Sequence, residues 1–295
     1  MKVVVTGGAG RLGSHLSRVL VDVGHSVTSV DIAQPSRQQA GVTYVEGDLN
    51  DASLLRSAFS EASAVVHLAG YPTYDPGQHA RFIDHNYRGT FMALEAAAEV
   101  GADKFVFASS ICAYGFIHWH ERMTPDYFPI DEDHPCRPSD LYGLTKWQGE
   151  QLCRAYAWRY GVNATALRLA TVWFPDYPDW TTRFLKRVEF PEQGIDSIWN
   201  YVDVRDVVNA FVLTLTGDHS SSFTCFNIGA SDTASRLPTR ELITRFYPDT
   251  PAIKGGIQLL QDDHAALYSI ARAQEELGYK PKHTWREYVA ADNGS

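Results

Sequence analysis

Tyr142 and Lys146 stand four positions apart in "SDLYGLTKWQGEQL", residues 139–152. A phenol acting as a base near neutrality needs its pKa lowered by about 3 units, roughly 4 kcal/mol. A lysine can supply much of that: positions i and i+4 share one face of a helix, and a unit charge at about 4 Å is worth roughly 4 kcal/mol at an effective dielectric of 20, before desolvation losses. Such a pair suits removal of a proton from a hydroxyl. Pro138, Ser139 and Asp140 signal the helix start and Gly161 its stop. With 15 tyrosines in 295 residues one such pair can arise by chance, so its weight comes from its surroundings.

The first of those surroundings is "TGGAGRLG", which follows a β-branched run, opens a helical pattern and sets out Gly7-x-x-Gly10-x-x-Gly13. Glycine permits a tight turn and close backbone approach, and the helix start turns unpaired N–H groups toward a pyrophosphate. Arg11 and Leu12 of the same turn then line a dinucleotide as well. Asp31 ends the next run, "SVTSVD", where a carboxylate accepts hydrogen bonds from an adenosine ribose and repels a 2′-phosphate. The expected cofactor is therefore NAD, with Arg11 and Arg37 arguing for NADP. A ligand-free glycine turn and an ordinary strand-end aspartate are the plainer alternatives.

The elements that must position these groups alternate. "KVVVTG", "SVTSVD", "AVVHLAG", "KFVFASS" and "NATALRL" are separated by helical patterns such as "GSHLSRVLVDVG" and "GTFMALEAAAEVG". That rhythm implies right-handed βαβ units and a Rossmann-type, doubly wound α/β fold with a parallel sheet. After Arg168, "ATVWFPDYPDWTTRF" reads as loops and pocket walls. "NYVDVRDVVNAFVLTL" reads as a short strand feeding a helix, "FTCFNIG" as another strand, and the chain from about Leu237 as a small helical lobe. The expected division is a dinucleotide-binding domain over 1–170, completed by about 198–230, with 171–197 and 231–295 as a substrate-binding lobe.

Composition narrows the class. A chain of 295 residues that is 44% hydrophobic can bury a large core, and a net charge of −9 with scattered Lys and Arg offers nucleic acid no basic stripe. Cys112, Cys136, Cys153 and Cys225 have neither disulfide-framework nor metal-ligand spacing, which fits free thiols in a reducing cytoplasm. No apolar run is long enough for a membrane span, and "MKVVVTGG" is too short for a signal peptide. The expectation is a soluble, cytoplasmic protein.

The sequence resembles the extended short-chain dehydrogenase/reductase family of NAD-dependent sugar epimerases, dehydratases and dehydrogenases. The likeness runs through "TGGAGRLG", "GDLND", "VVHLAG", "NYRGT", "FASSICAYG", "YGLTK", "LRLA", "YVDVRDVV" and "ARAQEELGYKP". It implies that Asp48 and Leu49 hold the adenine, that Leu68 and Ala69 line the cofactor, and that Lys146 also holds the nicotinamide ribose. The positive nicotinamide ring then assists Lys146 in favouring the Tyr142 phenolate. Ser110 matches the family's third catalytic residue, with Ser109 as the alternative register. Tyr142 would take the hydroxyl proton of a carbohydrate while hydride leaves the same carbon for the nicotinamide. A homodimer joined through helices at about 87–100 and 140–160 is also implied, as against ordinary helices covering the sheet.

For the substrate, Trp119, Trp173, Tyr177, Trp180 and Trp199 suit the apolar faces of a sugar ring or a core needing bulk. His85, His118 and His120 lack metal spacing, and no metal is expected. Nucleotide-sugar enzymes of the family commonly carry an asparagine where this chain has Thr171, which points toward its uronate and free-sugar dehydrogenases. By that likeness Thr73, Ser110 and Thr171 hold the sugar and Arg183 meets a carboxylate; Lys186 and Arg187 are substitutes. Cys112 stands where the uronate enzymes have a histidine. A sugar or sugar-acid dehydrogenase leads, followed by a nucleotide-sugar epimerase with retained NAD, and then by a non-catalytic dinucleotide sensor.

Overall fold

The computed structural model describes residues 1–72, 77–117, 123–217, 222–249, 251–254 and 262–292. The apolar runs become strands β1 (Lys2–Thr6), β2 (Ser26–Asp31), β3 (Val42–Glu46), β4 (Ala64–His67), β5 (Lys104–Ser110) and β6 (Asn163–Leu169), followed by β7 (Thr171–Trp173), β8 (Tyr201–Asp203) and β9 (Phe223–Ile228). Seven of them form one sheet in the order β9-β6-β5-β4-β1-β2-β3, parallel throughout. Strands buried on both faces must read as continuous apolar runs, and Val3, Val4, Val5, Ala64, Val65 and Val66 are all fully buried. The expected doubly wound fold is the observed one.

Helices cover both faces. On one side α1 (Arg11–Asp22), α6 (Val204–Thr216) and α8 (Ala271–Leu277) share a buried cluster that takes in Leu16, Leu20, Phe211, Leu277 and Tyr279. On the other, α2 (Ala52–Ala58), α3 (Arg88–Glu99) and α4 (Leu141–Tyr160) pack Leu55, Leu94, Cys153 and Ala157 against Phe105 and Phe107. Strand order reverses between β1 and β4, and a crevice opens beyond the carboxyl ends of the strands at such a switch. Tyr142, the glycine turn and Asp31 all belong to that end.

The segment after Arg168 is more regular than expected. Thr171–Trp173 is a strand that pairs with β8 outside the main sheet, and Pro178–Glu189 is a helix, α5. Pro178 occupies its first turn, where a missing N–H costs nothing, and Thr181, Phe184 and Val188 supply the buried stripe. Two further helices, α7 (Thr239–Phe246) and α9 (Trp285–Asp292), complete the chain. Trp199 is fully buried in a cluster with Leu242 of α7, Phe128 and Tyr268, while Trp173 stacks on Phe184 at 4.8 Å and shares a cluster with Trp285. Of the aromatic residues expected to face a sugar, Trp173 and Trp199 are therefore core, because each fills a gap that smaller side chains would leave open. Trp119 lies outside the described residues. Among the described residues no helix is long and apolar enough to cross a membrane.

Candidate active site

The glycine turn is built by close approach. Gly7 holds a φ of +71°, and a Cβ at Gly13 would sit 2.3 Å from the Gly7 carbonyl oxygen, so α1 starts directly against the turn. Gly10 caps α1 without any side chain, leaving the first-turn N–H groups facing outward. The Asp31 carboxylate accepts hydrogen bonds from Ala9 N at 3.0 Å and Ala33 N at 3.2 Å, which fixes it beside the turn. These features fit a dinucleotide: bare donors for a pyrophosphate, and an acceptor for a ribose.

One cavity of about 860 Å³ runs from this turn across the sheet, within the roughly 300–1,000 Å³ usual for ligand pockets. At one end lie Gly7, Gly10, Arg11, Leu12, Gly13 and Asp31; Leu49, Leu68 and Ala69 follow along its wall. Ser110, Tyr142 and Lys146 line its middle, and Thr171 and Arg187 its far end. Most residues singled out by sequence thus converge. Asp48 does not line the cavity; its carboxylate accepts from the backbone and side-chain nitrogens of Asn50, and Asn50 takes the place at the wall. Arg183 is exposed and absent from the lining, because the helical phase that turns Trp180 and Arg187 inward leaves Arg183 to one side. Thr73, His118 and His120 lie outside the described residues, whereas His85 lines the cavity and packs edge-on against Tyr71.

Helix α4 sets the central groups. The Asp140 side chain caps it by accepting from Gly143 N at 2.9 Å, and a Cβ at Gly143 would meet the Cys112 carbonyl oxygen at 2.5 Å. The helix start is thereby seated on the turn that follows β5, with Tyr142 against Ser110 and Cys112. Ser110 accepts from Cys112 N at 3.1 Å, while Ser109 donates to Glu150 at 2.5 Å. The Ser109 hydroxyl is committed to the interior, so Ser110 is the serine free for the cleft. Adjacent strand residues point to opposite faces, and only one of the two registers can serve.

Burial raises the Tyr142 phenol above its ordinary value, the Cys112 and Asp140 charges act in the same sense, and hydrogen bonding with Ser110 acts against them. Lys146 donates to the Ala108 carbonyl at 2.8 Å, with its nitrogen 5.8 Å from the Tyr142 ring centroid, and burial pulls it down to about 8. In the protein alone desolvation wins and Tyr142 is a phenol, not a phenolate. A second positive charge, that of an oxidised nicotinamide, would act with Lys146 against the burial. Beneath the site His67 is held between Thr6 at 2.7 Å and Thr90 at 3.0 Å, and burial lowers it to about 3, so it is a neutral strut.

Sequence reasoning missed Asn50, Gln193, Asp196 and Ser197 at the cavity. Arg187 donates to the Gln193 carbonyl at 3.2 Å and to Ser197 at 3.1 Å; burial works against its charge and the Asp196 carboxylate works for it. The loop that brings these three in has no periodicity to announce it. Among the described residues no group of His, Cys, Asp or Glu could hold a metal ion.

A parallel sheet with a bare glycine turn, a strand-end aspartate and a buried Tyr–Lys pair defines a class: dinucleotide-dependent enzymes of the extended short-chain dehydrogenase/reductase type. Within that class the chain belongs to the NAD dependent epimerase/dehydratase family, which it matches over residues 3–229. It is 27% identical to a UDP-glucose 4-epimerase of Corynebacterium glutamicum over 323 residues, covering 99% of this chain and 94% of that one. The structure of MoeE5 in complex with UDP-glucuronic acid and NAD superposes with a TM-score of 0.73 at 28% identity, covering 98% of this chain and 97% of that one. A mutated uronate dehydrogenase shares the fold with a TM-score of 0.69 at 22% identity, covering 98% of this chain and 86% of that one.

Proposed function

We infer that the protein oxidises a carbohydrate hydroxyl with NAD, acting as a dehydrogenase of a sugar or sugar acid. The observation that carries this reading is the single cavity in which Ser110, Tyr142 and Lys146 stand between a dinucleotide end and a polar far end. NAD supplies the hydride acceptor, and its oxidised ring a positive charge near the phenol. Ser110 holds the reacting hydroxyl, Tyr142 receives its proton, and Lys146 keeps a positive charge under the phenolate that forms. Asp31 takes the adenosine ribose, and the N-terminus of α1 takes the pyrophosphate.

The far end favours a free sugar or a uronate over a nucleotide-diphosphate sugar. Its one described cation is Arg187, already bonded to Gln193 and Ser197 and faced by Asp196. That arrangement suits one carboxylate or a neutral polyol better than two phosphates. Arg187 thus replaces Arg183 as the residue proposed to meet an acidic group, with Thr171 on a sugar hydroxyl. The similarity to a UDP-glucose 4-epimerase supports the second reading, in which NAD stays bound and hydride returns to the opposite face.

Assay with NAD and a panel of aldoses, uronic acids and nucleotide sugars separates the two. Net NADH from a free sugar or sugar acid is expected. Conversion of nucleotide sugars to their epimers with no net NADH would overturn the dehydrogenase reading. α3 and α4 expose Phe91 and Tyr160 on one side, joined through the Tyr156 ring, which supports a homodimer joined there; sedimentation of a Tyr160→Glu variant as a monomer is the expected check.

A further inference from the structure

Arg11 and Trp180 come from opposite sides of the cleft. Arg11 is the first residue of α1, at the glycine turn, and Trp180 stands in the first turn of α5, the helix that carries Arg187 at the far end of the cavity. Both line the cavity, and the Arg11 guanidinium lies 4.3 Å from the Trp180 ring centroid and 5.8 Å from that of Phe174. The same two segments meet a second time, where His15 Nε2 of α1 lies 3.2 Å from the Asp176 carboxylate. The contact therefore joins two walls, and does not merely decorate one.

Stacking occupies the faces of a planar guanidinium and leaves its N–H donors free around the edge. Among the described residues the Arg11 guanidinium makes no hydrogen bond or ion pair, so those donors have no protein acceptor. A cation held in place by a ring, with its donors unspent, stands beside backbone N–H groups aimed at an anion. We propose that Arg11 and Trp180 form a clasp over the dinucleotide pyrophosphate, and that Trp180 thereby sets how long the cofactor stays bound. Trp180 and Arg187 are seven residues apart on α5, about 10 Å along one helix face. A shift of that helix at the sugar end accordingly loosens the clasp at the cofactor end, and by linkage the cofactor stiffens the sugar end.

The inference rests on the reading of the cavity as an NAD site, and the test separates the two. Bound NADH is chased with excess NAD, and its release is followed by nicotinamide fluorescence in the wild type and in Trp180→Leu, Trp180→Phe, Arg11→Met and the Trp180→Leu/Arg11→Met double variant. Trp180→Leu should release NADH about three- to fivefold faster, as loss of one exposed cation–π contact implies, and Arg11→Met, which also removes the donors, at least as fast. The double variant should be no faster than Arg11→Met alone, since Trp180 acts only through Arg11. Trp180→Phe keeps a ring and should retain most of the slow release, which excludes general loosening of α5 as the cause. Release rates within twofold of wild type in both single variants, or fully additive effects, would overturn the clasp while leaving the NAD site standing. Failure of the wild type to bind NADH at all would overturn both.

Discussion

Lys146 and Glu150 occupy successive turns on one face of α4, and both are buried, at 7% and 2% exposure. Their surroundings differ sharply. Glu150 accepts two hydrogen bonds from Arg168, at 2.9 and 2.7 Å, and a third from Ser109. Arg168 in turn lies over the Tyr114 ring, Tyr114 donates to Asn227, and the Asn227 N–H donates to Glu132. Lys146 has the Ala108 carbonyl and, among the described residues, no carboxylate partner. A buried charge surrounded by partners locks the end of β5 in place, whereas one left short of a counter-charge has its pKa moved toward the working range. The helix thus carries one member of a structural pair and both members of the pair proposed as reactive, one turn apart.

The sharpest way to break this contrast is at Tyr142. Tyr142→Phe should lower turnover by about 10²–10⁴-fold, the usual weight of a positioned acid or base, while NADH binding stays within a few-fold. Retention of more than a few percent of activity would assign the base elsewhere. On the structural side, Glu150→Leu leaves Arg168 buried without its carboxylate and should cost about 3–5 kcal/mol by urea unfolding. Adding Arg168→Met should restore much of that loss, because the stranded charge goes with it. If the double variant is as unstable as the single one, the pair is not the source of the effect.

The neighbouring serines give the same comparison at smaller amplitude. Ser110→Ala should lower kcat by about 10²-fold through loss of the alignment of the reacting hydroxyl, with a stability cost of about 0.5–1 kcal/mol for the lost cap on Cys112 N. Ser109→Ala takes one donor from a buried carboxylate and should cost about 1–2 kcal/mol of stability, with kcat nearly unchanged. The reverse pattern would mean that the strand end is read one residue out of register.

How much of this the sequence disclosed follows from what repeats locally. The glycine turn, Asp31 and the Tyr142–Lys146 spacing are short-range patterns tied to a strand or a helix, and they came together as expected. Order along the chain does not tell Arg183 from Arg187, because the phase of α5 is decided by the buried Phe184 and Val188. The segment after Arg168 read as irregular because three-residue strands leave no periodic signal; Thr171–Trp173 exists through its pairing with Tyr201–Asp203, a long-range partner. Glu150 and Arg168 looked like ordinary charged residues, since burial and pairing across β6 and α4 are tertiary facts. For Tyr142 the same holds: spacing shows the helpful charge but not how far burial opposes it.

The smallest expected effect is a slope with pH, and its sign follows from Lys146. Its folded pKa, about 8, lies below the 10.5 ordinary for a lysine, so between those values the unfolded chain binds more protons than the folded one. Lys146 by itself then makes stability rise with pH through that window, because the penalty for burying the ammonium is full below about pH 8 and fades as the unfolded lysine also loses its proton. Cys112, Cys136, Cys153 and Cys225, whose thiols burial pushes up, contribute in the opposite sense. Between about pH 7 and pH 9 the gain is on the order of 1 kcal/mol. Arg168 contributes no such slope, because Glu150 and its other partners outweigh burial and hold it charged throughout. Urea unfolding of the cofactor-free protein at the two pH values measures this contribution as the difference from Lys146→Met, which should lose it, whereas the Glu150→Leu/Arg168→Met double variant should keep it. An unchanged slope in Lys146→Met would mean that Lys146 keeps its charge at little cost, and the contrast between the two turns of α4 would collapse.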